Sequence, residues 1–320
     1  MIESINVLLS DDSVQFCHYT TEKKNAAKWL SIKDLKECFE YSKANKININ
    51  VVFPESPIPQ DIKSVLENED YCSIQHYSEH NIADVNVLYA NDIEHSTFNN
   101  SEEFVFIILI EKKDVAKYPV ILKQMQKKFK KLSFIITDIE FWTEKDLINY
   151  ENVLNTCFDL LVSIYKDTKE KLPEINFVTD RWFLVQENSC NAGIRHYTLA
   201  PDGNIYLCPA FYFANKQDIG NIGNVKILNE HLLKYDYAPI CKECDAYHCN
   251  RCVFQNKIST NELNIPSYQQ CVISHLEREL SRKLLCKLKL LNPLFNQIID
   301  FKENNYTDPL VKKIQKQHSF

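Results

Sequence analysis

From Met1 to Ala192 the chain contains no glycine, and its four glycines all fall between Gly193 and Gly223. Close backbone approach to a phosphate and turns with positive φ both depend on glycine. The first 192 residues therefore hold neither a P-loop nor a dinucleotide fingerprint, which excludes kinase, GTPase and Rossmann readings of that stretch.

What that stretch does show is alternation. Short apolar, β-branched or aromatic runs at 47–53, 85–89, 104–110 and 132–139 have the texture of strands buried on both faces. Helical segments at 32–44, 61–67, 114–129 and 144–165 alternate with them, with Ser31 and Thr143 placed as N-caps for the first and last. Strand–helix alternation of this kind predicts an α/β fold with a mainly parallel sheet. After Cys190 the texture changes to turns, cysteines and short strands. Ala200-Pro201-Asp202-Gly203-Asn204 reads as a tight turn between two β-like runs. Val272, Leu276, Leu280, Leu284 and Leu288 form an i, i+4 stripe that Asn292-Pro293 ends.

The net charge of −6 gives no pull toward nucleic acid. The longest apolar run, at 104–110, is too short to span a bilayer. The start, MIESINVLLSDD, lacks a basic region followed by an apolar core. A cytoplasmic protein without membrane or nucleic-acid partners is expected. In that compartment twelve cysteines point to metal or redox chemistry before disulfides. Seven of the twelve lie between Cys190 and Cys271.

The centre of that group is Cys241-x2-Cys244-x4-Cys249-x2-Cys252. Each C-x-x-C pair lets two sulfurs turn toward one ion while backbone amides donate to them and favour the thiolate. Zinc ribbons separate their pairs by a longer excursion, so the four-residue gap suits iron–sulfur ligation better, with zinc the alternative. Cys190 and Cys208 lie upstream, with Gly203 between them, and Cys271 lies downstream. His248 and His196 fall in the same region, as ligands or as hydrogen-bond donors to sulfur. Cys17, Cys38, Cys72, Cys157 and Cys286 read as small buried hydrophobes. Asp138 and Glu140 sit at a strand end, where carboxylates serve catalysis or cap the next helix.

In this order the cysteines resemble the SPASM domain, the auxiliary-cluster domain of radical S-adenosylmethionine enzymes that mature peptides and proteins. The stretch CNAGIRHYTLAPDGNIYLCPAFY matches that domain's opening, its Pro-Asp-Gly hairpin and its Cys-Pro, and Gly220-Asn221 matches its Gly-Asn element. The later gaps are four and two residues, where the domain commonly has five and three. The resemblance implies one 4Fe-4S cluster on Cys241, Cys244, Cys249 and Cys271. It implies a second on Cys190, Cys208 and Cys252, with a fourth ligand from elsewhere; Cys157 and an open site are both candidates.

No C-x3-C-x2-C motif occurs anywhere. The loop where it is expected reads Val14-Gln15-Phe16-Cys17-His18-Tyr19, and the counterpart of the glycine-rich cofactor motif, residues 51–57, has no glycine. A SPASM-like domain without the catalytic cluster motif resembles the CXXX repeat peptide maturase family. That resemblance implies a degenerate, partial (β/α) barrel over 1–180, a SPASM-like domain over 181–275 and a helical extension over 276–320. It also implies a partner protein that binds iron–sulfur clusters through seven cysteines in the maturation of ribosomally made, post-translationally modified peptides. Its partners would be a radical enzyme and a precursor peptide with Cys-x-x-x repeats, and it would have no radical activity of its own. A self-sufficient peptide-modifying enzyme and a zinc-stabilised adaptor are the alternatives.

Overall fold

The computed structural model describes residues 2–19, 28–93, 96, 98, 104–125, 129–169, 172–183, 190–246 and 252–299. The chain divides into two compact units, each assembled from two stretches: 1–88 with 191–234, and 89–190 with 235–320.

The first unit opens with β1 (Ser4–Leu8), α1 (Ile32–Asn45), β2 (Asn48–Val52), α2 (Gln60–Leu66), β3 (Cys72–His76) and β4 (Val85–Tyr89). These strands pair in parallel and in order, with Ser4 opposite Asn48, Asn50 opposite Cys72 and Ile74 opposite Val85. Ser31 caps α1 by accepting the Asp34 N–H at 3.1 Å, and Lys46 ends it in the left-handed region. Leu35, Cys38, Phe39 and Ser42 form its buried stripe. That stripe packs on Ile5, Val7, Ile49 and Val51, each apolar side chain contributing about 1.5–3 kcal/mol by leaving water. Asn6 and Asn50 alternate with those residues and so lie on the opposite face, where the Asn50 amide donates to Asn6 Oδ1 at 2.9 Å.

The second unit begins with β5 (Val105–Ile110), α3 (Tyr118–Met125), β6 (Lys131–Ile136), α4 (Glu144–Tyr165), β7 (Glu174–Ile175) and α5 (Asn176–Phe183). Its three strands are also parallel, Val105 facing Lys131 and Lys131 facing Glu174. The helix expected over 114–129 forms differently. Residues Lys112–Lys117 make a 3-10 turn and the α-helix starts only at Tyr118. Pro119 has no N–H to donate to Val115, so an α-helical ladder cannot run through it. Residues 126–128 lie outside the described residues. The strand expected over 132–139 stops at Ile136, because Ile139–Phe141 forms a 3-10 turn. Thr143 starts α4 as its sequence predicts: its N–H and hydroxyl both donate to the Asp146 carboxylate at 2.7 Å.

The chain then returns to the first unit as β8 (His196–Leu199), β9 (Ile205–Tyr206), α6 (Pro209–Phe213), β10 (Gly220–Asn221) and β11 (Asn224–Val225). β8 runs parallel to β1, and β9 folds back on it through the turn at 200–204. There Gly203 adopts φ +85°, with its N–H on the Ala200 carbonyl at 2.9 Å. Gly220 is required by contact as well as by φ, since a Cβ would stand 2.1 Å from the Asn224 carbonyl oxygen.

The last stretch adds α7 (Val253–Thr260) and α8 (Tyr268–Leu291) to the second unit. Val272, Leu280, Leu284 and Leu288 are buried as the stripe predicts, Leu276 is only half-buried, and α8 packs on α4 and α5. Glu277 binds these helices together, accepting from Tyr150 at 2.7 Å and from Arg181 at 3.0 Å. Among the described residues no helix is long and apolar enough to cross a membrane.

Candidate metal centre

In the second unit Cys241 opens a 3-10 turn, Cys241–Glu243, and the Cys244 N–H donates to the Cys241 carbonyl at 3.0 Å. The chain then bends so that the Ala246 N–H points at Cys244 Sγ, 3.3 Å away. A backbone N–H aimed at sulfur favours the thiolate, the form that ligates metal. The same sulfur lies 3.5 Å from His275 Nε2. One residue on, Asp245 receives Arg278 twice: Nε on its carbonyl at 3.2 Å and a terminal nitrogen on its carboxylate at 2.9 Å. Cys271, His275 and Arg278 occupy positions i, i+4 and i+7 of α8, one face of the helix. The turn that carries Cys244 is thereby gripped by the face that carries Cys271.

Cys252 caps the start of α7 and accepts the Gln255 N–H at 3.5 Å. Burial pushes its thiol up to about 12; nearby Cys190 and Glu140 add to this, and the Gln255 and Phe254 amides oppose it. A buried thiol holds negative charge poorly by itself. A bound cation reverses that balance. Glu140 stands in the 3-10 turn after β6, and burial, more than neighbouring Asp138, raises its pKa.

The structure separates Glu140 from Asp138. Asp138 accepts the Lys112 N–H at 3.0 Å and the Trp142 indole N–H at 3.0 Å, and does not cap the 3-10 turn that follows it. Glu140 Oε2 is buried without a hydrogen-bond partner. Close to the cysteines in sequence, both amide atoms of Gln255 and Oε1 of Gln270 are orphaned in the same way. Buried polar atoms are almost always satisfied, so each of these orphans leaves a bond for a water or another polar group to complete. Thiolate donors supported by amide N–H groups fit a soft metal or an iron–sulfur cluster.

Of the seven predicted ligands, Cys190, Cys241, Cys244, Cys252 and Cys271 belong to the second unit, and Cys208, buried at the start of α6, to the first. Cys249 lies outside the described residues, as does His248. Among the described residues no group of three His, Cys, Asp or Glu side chains closes around one point. His196 is on β8, where burial lowers its pKa and favours the neutral ring. Cys38 and Cys157 behave as core hydrophobes, their thiols pushed up to about 12 by burial. Cys286 is exposed on α8. His275 lies outside the cysteine pattern, although its i+4 spacing from Cys271 on an amphipathic helix is a usable signal in the sequence.

No family model matches the chain, and no curated protein matches it. Among solved structures, SuiB of Streptococcus suis bound to its precursor peptide SuiA aligns over 83% of this chain and 75% of its own. The identity is 11% and the TM-score 0.39. SuiB bound to S-adenosylmethionine aligns over 68% and 63% of the two chains, at 11% identity and a TM-score of 0.35. Scores this low carry no weight for fold or chemistry, and the α/β architecture rests on the strands and helices described above.

Proposed function

We propose that this chain is an iron–sulfur protein of peptide maturation, a partner to a radical enzyme acting on a precursor peptide with Cys-x-x-x repeats. The observation that carries the metal half of this reading is the grip of α8 on the Cys244 turn. His275 and Arg278 hold residues 244–245 against the helix face of Cys271, so ligands 27 residues apart in sequence, as Cys244 and Cys271 are, have reason to share one centre. The peptide half rests on the SPASM-like order of the seven cysteines and on the missing C-x3-C-x2-C motif. In this reading residues 1–180 are a degenerate relative of the radical barrel.

The residues divide the work. Cys241, Cys244, Cys249 and Cys271 would hold one cluster, and Cys190, Cys208 and Cys252 a second. When bound, such clusters supply electron relay, ligation of a substrate thiol or structural support. The chain's own amides at Ala246 and Gln255 stabilise thiolates, and Arg278 fixes the loop. Copurification under anaerobic conditions tests the peptide half. The chain should retain a radical S-adenosylmethionine enzyme, a Cys-x-x-x repeat peptide, or both; binding neither when both are supplied would contradict it.

A further inference from the structure

We infer that the cavity at the foot of β2 and β3 is a binding site for a small uncharged ring compound that offers a carbonyl oxygen. The site lies wholly within the first unit, and the inference does not rest on the metal reading.

The cavity measures about 690 Å³, a size that encloses small ligands, and is lined by residues 48–50 of β2 and residues 70–72 at the entry to β3. It exists because the two strands part there. Their pairing starts at Asn50 and Cys72, while the Asn68 and Glu69 N–H groups still bond the Val65 and Leu66 carbonyls in the turn that leaves α2. The parting leaves a backbone donor behind. Along β2 the even-numbered residues bond β1, as the Asn48 N–H does on the Glu3 carbonyl at 2.9 Å. The odd-numbered ones bond β3, as the Phe53 N–H just beyond the strand does on the Ile74 carbonyl at 2.8 Å. By that alternation the Ile49 N–H is directed toward β3, into the gap. Ile49 is 4% exposed, and among the described residues nothing accepts its N–H. A buried backbone donor is almost always paired, so this one calls for an acceptor oxygen from outside the chain.

The walls set the rest of the ligand. Phe39 and Tyr71 line the cavity with ring centroids 6.4 Å apart, and Ile47 adds an aliphatic side. Charge at the rim cancels: Lys43 is paired with Glu69, and Lys46 and Asp70 contribute one charge of each sign. A flat, uncharged body carrying one carbonyl oxygen matches the rings, the rim and the donor together.

The test uses the full chain with isotope-labelled isoleucine, benzamide as the probe, and Cys72 in the cavity wall as a chemical reporter. Benzamide should move the Ile49 amide resonance saturably and slow its hydrogen exchange, while Ile175 in the second unit stays unchanged. Ile49→Val, which keeps the N–H, assigns the signal. At about ten times its dissociation constant, benzamide should slow alkylation of Cys72 by iodoacetamide about tenfold and leave exposed Cys286 unaffected. Tyr71→Ala should weaken both effects. No saturable shift at Ile49, or equal shifts at Ile49 and Ile175, would overturn the inference. So would a water–amide nuclear Overhauser effect at Ile49 that benzamide leaves intact, which marks a resident water, and so would benzoate binding more tightly than benzamide.

Discussion

His275 Nε2 lies 3.5 Å from Cys244 Sγ, bridging 31 residues of sequence. A metal-bound thiolate has no proton to give, so in the loaded protein the imidazole must donate and Nε2 must carry the hydrogen. A donor to a ligand sulfur orients that ligand and strengthens binding.

Replacing His275 by Ala should therefore weaken cobalt(II) binding by about 10- to 100-fold while leaving the tetrahedral thiolate absorption in place. Gln, which offers an N–H at similar reach, should recover most of the loss. Optical titration under competition with a chelator reads both. Loss of the tetrahedral spectrum altogether would make His275 a ligand, and unchanged affinity would remove any role for it.

Cys271 and Cys286 provide an internal control on one helix. If Cys271 ligates the proposed centre, Cys271→Ser removes a ligand that would tie the first turn of α8 to the Cys244 turn, and both metal content and the stability of residues after 271 should fall. Cys286 is exposed on the same helix, and Cys286→Ser should change neither. Metal analysis and hydrogen exchange over α8 decide this. Equal metal loss in the two variants would refute the division of the cysteines.

The start of α4 makes a pH prediction. Thr143 donates twice to Asp146 and holds that carboxyl below its usual range. The folded pKa is thus lower than the unfolded one. The stabilisation is complete above the unfolded value of about 3.9 and disappears as pH falls through the folded value. Urea midpoints of the parent should exceed those of Asp146→Asn at pH 6, with the gap closing below about pH 4. A gap independent of pH would show that ionisation of Asp146 is irrelevant.

Under the proposed resemblance, Cys17 is a single cysteine in the loop that would carry three, and residues 51–57 carry no glycine. The purified, reconstituted and reduced chain should form no 5′-deoxyadenosine from S-adenosylmethionine. Product formation by protein free of contaminating enzyme, measured by mass spectrometry, would overturn that expectation.

Much of the fold was legible locally. Val85–Tyr89 and Glu144–Tyr165 coincide with their sequence patterns, and Ser31 caps α1 as its position predicts. β1 and β3 carry no such pattern, because Asn6 and Gln75 interrupt their apolar runs; Asn6 is satisfied by Asn50, 44 residues away, which no local pattern reveals. The return of the chain to pair β8 with β1 is equally non-local. At the candidate site, Cys241 and Cys244 announce themselves by spacing. His275 does not, because its meaning depends on which distant cysteine the fold brings near.

The central claim, that the cysteine-rich segment holds iron–sulfur centres, is tested most directly by composition. The full chain, purified without oxygen, should be brown and contain both iron and acid-labile sulfide, with metal lost when Cys241 or Cys244 is replaced by Ser. A colourless protein containing zinc, with neither iron nor sulfide, would contradict it.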